Sequence, residues 1–266
     1  MLRDSDQSTP QDPRVGTVLS GRYRVLDRLA SGGIGVVYRG ERIGLGRAVA
    51  IKFLHAAFSG EQGLLKRFER EAQALSRIAH PHCVSIIDYG VEEGAPYLVM
   101  DYVRGQTLRD LLDAGRVPVP RALAIVRQLL AGLDHCHQQG IVHRDVKPAN
   151  IMLTEVAGTG DHVQILDFGL AKLRDSASDL SVGSIAIGTP SYMPPEQASG
   201  EPVDARSDVY AVGTLLYEML GALEKVGGRA RYRSRCAPAR PPSPGRPASR
   251  PRSGSDPWAP WPWRGG

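Results

Sequence analysis

Cysteine is scarce. The 266 residues contain only Cys83, Cys136 and Cys236, scattered without ligand-like spacing. A reducing cytosol fits, with the thiols in structural roles. No apolar run approaches the ~20 residues that a membrane helix needs. The first residues, Met1 to Gly16, are polar and carry Asp4, Asp6 and Asp12 where a signal peptide would be apolar, which argues against secretion. A general nucleic-acid signature is missing as well. The net charge of +5 divides into −3 for residues 1–223 and +8 for the remainder, so the basic balance belongs to the tail.

At 42% hydrophobic and 23% charged, the composition is that of a globular chain, long enough for one large domain or two lobes. Tyr23–Leu26, Val36–Arg39 and Ala48–Phe53 read as strands, with a tight turn over Ala30–Gly35 between the first two. Leu64, Leu65, Phe68, Ala72, Leu75 and Ile78 fall at helical spacing, and Pro81 stops that helix. Val84–Tyr89 and Tyr97–Met100 add two strands. Beyond a connector at Asp101–Gly105 the pattern turns helical. Thr107 can cap Leu108–Asp113, and Arg121–Gln138 is apolar enough to predict burial on more than one side. Ile151–Leu153 and Val163–Leu166 bracket a hairpin. Arg206–Leu220 reads as another apolar helix.

The chemistry concentrates in His143-Arg144-Asp145-Val146-Lys147-Pro148-Ala149-Asn150. Asp145 can accept a proton from a hydroxyl. Lys147 can neutralise a phosphoryl group. Asn150 offers a neutral oxygen to a hard cation such as Mg²⁺. Asp167-Phe168-Gly169 follows, a second oxygen ligand and a hinge glycine, and the hairpin between would hold Asn150 and Asp167 close. Together these residues read as a site that moves phosphate from a nucleotide to a hydroxyl. The turn with Gly32, Gly33 and Gly35 can lay backbone amides over phosphates, although a glycine-rich strand–turn–strand alone is more often a hairpin. Lys52 shares a strand face with Ala50. Its bland reading is a surface lysine; its functional reading is an ammonium on phosphates. His80, His82, His135 and His137 read as structural, at a helix end and inside an apolar helix.

In order and spacing, the catalytic stretch and Asp167-Phe168-Gly169 resemble the protein kinase superfamily, and above all the eukaryotic-like bacterial serine/threonine kinases. Arg70-Glu71-Ala72-Gln73 is similar to the same group, and the resemblance covers roughly Gly21 to Leu220. It implies an α+β fold of two lobes, a β-rich N-lobe and a helical C-lobe. It implies ATP and Mg²⁺, protein substrates phosphorylated on Ser or Thr, and a place in signalling. Gly32, Gly33 and Gly35 would cover the phosphates, with Ala30 standing where the family has its first glycine. Lys52 and Glu71 would form the activating ion pair. Met100 would be the gatekeeper and Asp101–Val103 the hinge that binds adenine, with Val37, Ala50 and Leu153 also against the nucleotide. Asp145 would be the base, Lys147 would touch the transferred group, and Asn150 and Asp167 would hold Mg²⁺. Arg144 would grip an activation-loop phosphate, for which Ser181 and Ser184 are the candidates. Gly188-Thr189 resembles the substrate-proximal turn, which would include Thr189. Pro194-Pro195-Glu196 resembles the triplet closing the loop, and Asp208 would brace the catalytic loop.

The expected organisation is a disordered leader over residues 1–20, an N-lobe over 21–100, part of a C-lobe over 101–223, and a disordered Arg/Pro-rich tail over 224–266. The tail cannot bury enough apolar surface to offset its chain entropy. Its abrupt start reads as a reading-frame shift or a wrong gene end, which would leave the C-lobe incomplete. Two functions follow: an active cytoplasmic serine/threonine kinase without a membrane segment in this chain or a nucleic-acid partner, or a truncated kinase-like module that binds nucleotide or partners and transfers phosphate poorly.

Overall fold

The structure is a computed structural model that describes residues 12–33, 35–55, 62–158, 160–168, 190–221, 223–226 and 229–232. Its first part is a six-stranded antiparallel sheet. The strands are β1 (Val18–Leu19), β2 (Tyr23–Ser31), β3 (Gly35–Arg42), β4 (Arg47–Leu54), β5 (Ile86–Glu92) and β6 (Ala95–Asp101), in the order β1-β2-β3-β4-β6-β5. Helix α1 (Gln62–Leu75) lies between β4 and β5 in the chain.

Alternation along β4 sends its side chains to two separate cores. Val49, Ile51 and Phe53 join Leu19, Tyr23, Val25, Tyr38, Tyr97 and Val99 on the outer face. Ala50 and Leu54 join Phe68, Ala72 and Leu75 of α1 on the inner face. Both faces are therefore covered, and the outer cover comes from the segment expected to be a disordered leader. From Asp12 onward that segment is part of the fold. Tyr38 donates its hydroxyl to Asp12 at 2.8 Å, and the Arg14 guanidinium lies 4.2 Å from the Phe53 ring centroid. Arg14 screens apolar ring surface from water while its charge remains solvated.

The second part is mainly helical. A small sheet, β7 (Gln106–Thr107), β8 (Ile151–Val156) and β9 (Gly160–Ile165), accompanies α2 (Leu108–Ala114) and α3 (Val119–Gln138). Thr107 caps α2 in a reciprocal box with Asp110, which satisfies two amides at the helix start. On α3, Ala122, Ile125, Val126, Leu129, Leu133 and Cys136 are buried, while Leu123 and Leu130 remain exposed. The predicted burial on more than one side is thus corrected to a single broad stripe. After α4 (Pro195–Ala198) comes α5 (Ala205–Met219), capped by Asp204. It buries Ser207, Asp208, Ala211, Val212, Leu215 and Met219, and it leaves Val209 and Tyr210 exposed. The fold does not stop where the tail was expected to begin. β10 (Leu223–Val226) pairs antiparallel with β11 (Arg229–Tyr232), and the compact unit closes at Tyr232.

Candidate active site

The site is assembled from strand ends and loop segments, each fixed by backbone bonds. β8 and β9 pair from Ile151↔Ile165 to Val156↔Gly160. Just before that ladder, the Leu166 amide donates to the Asn150 carbonyl at 2.8 Å, which sets Asn150 beside Asp167. The catalytic stretch itself hangs on a buried carboxylate. Asp208 on α5 accepts the backbone amides of His143 at 2.8 Å and Arg144 at 2.9 Å, and the His137 imidazole at 2.7 Å. Burial would push the Asp208 carboxyl up. The His137 bond, the nearby His143 and the two amides outweigh it and hold the group below the ordinary carboxylate value. His143 also bonds the Leu166 carbonyl at 2.8 Å and packs its ring 4.9 Å from Phe168. Arg144 and Asp167 take left-handed backbone conformations, with φ of 66° and 60°. Such backbone costs ~1–3 kcal/mol per residue and persists where surrounding bonds over-determine it, as the Asp208 bond does at Arg144.

Within this frame Lys147 Nζ meets Asp145 Oδ2 at 2.6 Å. Asn150 Nδ2 donates to the Asp145 carbonyl at 2.8 Å and to its Oδ2 at 3.1 Å. Lys52, only 4% exposed, closes an ion pair with Asp167 at 2.8 Å. Burial alone would raise the Asp167 carboxyl. The Lys52 charge and hydrogen bond, then His143 and Lys147, hold it below its ordinary value. The sequence paired Lys52 with Glu71; the ion pair described for Lys52 is with Asp167, and Glu71 sits half-buried on α1.

These groups line one cavity of about 550 Å³. Gly32, Gly33, Gly35, Val37, Ala50, Lys52, Met100, Asp101 and Val103 wall it from the first part; Asp145, Lys147, Asn150 and Asp167 wall it from the second. Gly35 is required by packing, since a Cβ there would meet the Phe53 carbonyl oxygen at 1.9 Å. Ala30, at the family's missing glycine, also lines the wall. One expected contact is corrected. Leu153 points into the core at 2% exposure, and Met152 takes its place in the wall, because neighbours on a strand face opposite sides. Counting alternation from Asn150 would have found Met152.

Arg144 lines a smaller pocket with Tyr192, Met193 and Pro194, and its carbonyl accepts from Gln197 at 3.1 Å. Ser181, Ser184, Thr189 and the hinge Gly169 lie outside the described residues. Glu196, the end of the closing triplet, accepts the Ser207 hydroxyl at 2.5 Å. The sequence reading also missed a network in which Arg109 of α2 donates to Glu218 of α5 at 3.1 Å and to the Tyr192 hydroxyl at 2.6 Å, while that hydroxyl donates to Glu218. No local motif marks residues so far apart in the chain.

The donor set fits a hard cation. A carboxylate from Asp167 and a side-chain amide oxygen from Asn150 share one cavity wall, and Mg²⁺ prefers oxygen ligands completed by phosphate and water. Among the described residues, no group of three or more His, Cys, Asp or Glu side chains is arranged to hold a metal ion by itself.

The model of the protein kinase domain matches residues 23–231. Over 205 residues the chain is 47% identical to the serine/threonine-protein kinase pkn2 of Myxococcus xanthus, which covers 76% of this chain and 25% of that protein. It is 44% identical over 208 residues to the probable serine/threonine-protein kinase SCO3848 of Streptomyces coelicolor, covering 76% of this chain and 30% of that one. The crystal structure of the Mycobacterium tuberculosis PknI kinase domain superposes with a TM-score of 0.62 at 32% identity, covering 77% of this chain and 76% of that one. The chain belongs to the protein kinase family and has its two-lobed fold, with a β-rich N-lobe and a helical C-lobe. It matches only a minor part of the length of the curated relatives named here.

Proposed function

We propose that this chain is a serine/threonine protein kinase that transfers the γ-phosphate of ATP to Ser or Thr hydroxyls of protein substrates. The observation that carries the reading is the cluster of Asp145, Lys147 and Asn150 on the same cavity wall as Lys52 and Asp167. Lys147 and Asn150 both donate to Asp145 Oδ2, which fixes the carboxylate plane and leaves Oδ1 to orient a hydroxyl and accept its proton. Val37, Ala50 and Met152 form an apolar slot for adenine, with the Asp101–Val103 backbone at its edge. Lys52 reaches the α- and β-phosphates, with Glu71 as its second carboxylate in the transfer-competent arrangement. Lys147 neutralises the transferred group. Mg²⁺ bound to Asp167 and the Asn150 oxygen would supply charge neutralisation on the phosphates. Lysine at position 147, together with relatives named as serine/threonine kinases, favours Ser and Thr over Tyr.

No helix among the described residues is long and apolar enough to cross a membrane. Sparse cysteine and the need for ATP favour a cytoplasmic catalytic part. Arg144 is assigned to an activation-loop phosphate on Ser181 or Ser184. The test is incubation with Mg·ATP and mass mapping of the product, with Asp145→Asn as control. Phosphate on Ser or Thr that disappears in the variant supports the reading. Nucleotide binding without transfer would favour the non-catalytic module, and labelling confined to Tyr would overturn the substrate class.

A further inference from the structure

His55 follows directly on β4, and its imidazole Nε2 lies 2.8 Å from the Gly32 carbonyl oxygen. A carbonyl only accepts, so Nε2 carries the proton in this bond. Gly32 is tied at its other end too, because its amide donates to the Gly35 carbonyl at 2.9 Å. Continued one residue past the end of β4 at Leu54, the strand's alternation indicates from which side His55 acts. Phe53 belongs to the outer core and Leu54 to the inner one, so the next residue shares the face of Phe53. Lys52 faces the opposite way, into the cavity. His55 therefore grips the turn from outside, while Gly32, Gly33 and Gly35 line the cavity inside.

The peptide plane converts that grip into an orientation. The carbonyl of Gly32 and the amide of Gly33 belong to one planar unit, and no peptide bond among the described residues is cis. In a trans peptide the two dipoles point in opposite directions. Holding the Gly32 oxygen toward His55 turns the Gly33 N–H toward the cavity. A Gly-Gly peptide has little side-chain resistance to rotating the other way, since both neighbours accept a wide range of φ. A flipped plane would present a carbonyl oxygen to the phosphates in place of a donor.

We propose that His55 is a positioning residue for nucleotide phosphate: it locks the Gly32–Gly33 peptide so that the Gly33 amide faces the cavity. The proposal rests on the nucleotide site assigned above, and it concerns binding more than transfer. The effect falls on affinity for ATP, because the amide contacts a phosphate in the bound ground state as well as during transfer. His55 is exposed and packs into neither core, so replacing it removes the bond without opening a cavity.

Calorimetric titration of the full chain with Mg·ATP and with Mg·ADP provides the test, on wild type, His55→Ala and His55→Gln, with a thermal melt of each. The expected result is that His55→Ala binds about 3- to 10-fold more weakly, the range a single hydrogen bond carries, with an unchanged melt. His55→Gln, which keeps a side-chain N–H donor, should recover at least part of the loss. Where transfer to a protein substrate is measured, KM for ATP should rise and KM for that substrate should stay level. Equal affinity of wild type and His55→Ala, or a loss that His55→Gln leaves untouched, would overturn the assignment. Failure of wild type to bind Mg·ATP would instead strike at the nucleotide site itself.

Discussion

The carboxylate of Asp208 holds the backbone amide of His143 at 2.8 Å across 65 positions of the chain. A side chain from the core of α5 thereby fixes the first residue of the catalytic stretch. The same carboxylate takes the Arg144 amide, so two consecutive peptide units hang from one buried anion. This anchor and three other features of the fold give expectations that can be measured.

Removing the anchor should be costly. In Asp208→Ala, the buried His143 amide, the partly buried Arg144 amide and the His137 imidazole lose their acceptor. Breaking a buried charged network from one side costs ~3–5 kcal/mol. The melting temperature should fall by at least about 6 °C. Asp208→Asn keeps one carbonyl oxygen and should lose less. A melt of Asp208→Ala within a degree of wild type would show that the anchor is dispensable.

Asp145→Asn should separate transfer from binding. The change keeps an oxygen for Lys147 and Asn150 but removes the base. Phosphoryl transfer should drop by ~10²–10⁴-fold. Affinity for Mg·ATP, read by calorimetry, should stay within about threefold. Loss of both together would mean that Asp145 is needed to build the cavity, and its role as a base would lose its support.

The Lys52–Asp167 pair predicts an acid dependence. Lys52 helps hold the folded Asp167 carboxyl below its ordinary value, so between the folded and unfolded pKa values the unfolded chain binds more protons. The contribution is full above the unfolded value and is lost as pH falls through the folded one. In Lys52→Met the carboxylate is left without that ammonium, and burial then favours its neutral form. Wild type should exceed Lys52→Met in melting temperature at pH 7, and the gap should narrow toward pH 4. A gap that is constant or widens on acidification would rule this coupling out.

Histidines give a second, milder dependence. His80 stacks on His135 with centroids 5.1 Å apart and lies 5.3 Å from His82, which is itself 5.2 Å from His162. Burial, then the neighbouring His82 and His135, hold His80 below the ordinary histidine value. A depressed histidine keeps the folded state neutral while the unfolded chain takes up protons. Stability is therefore full above about pH 6.5 and declines as pH falls through the folded value. His80→Asn retains an acceptor for the His82 amide, and its melting temperature should fall less between pH 7.5 and 5.5 than that of wild type. Equal falls would assign the acid sensitivity elsewhere.

Local signals carried much of the fold. Alternation over Ala48–Phe53 located β4 and put Lys52 on the face of Ala50, and Thr107 capped α2 as its position in the sequence implied. The helix of Leu64–Ile78 appears as Gln62–Leu75 because Arg77 and Ile78 bond three residues back, to Ala74 and Leu75, and no longer continue the α-helical pattern before Pro81. Where readings failed, a face was chosen without a partner to choose it. Leu153 and Met152 are both apolar, so residue type does not say which meets the core; alternation counted from Asn150 does, and the pairing of β8 with β7 and β9 holds it. Leu123 and Leu130 looked like core residues by type, but a helix buries only the stripe that its neighbours cover.

The sequence by itself determined the residue types of the site and the family, because phosphoryl transfer needs a base, a cation and oxygen ligands at nearly fixed spacing within two short segments. Those segments carry their own signal. Tertiary structure alone decided which charges meet. Lys52 closes on Asp167, Arg109 meets Glu218, and the leader from Asp12 covers the outer sheet face. Each joins residues far apart in the chain, and such contacts have no local propensity to betray them. Their energy appears only when burial removes the competing water and leaves each polar group one partner within reach.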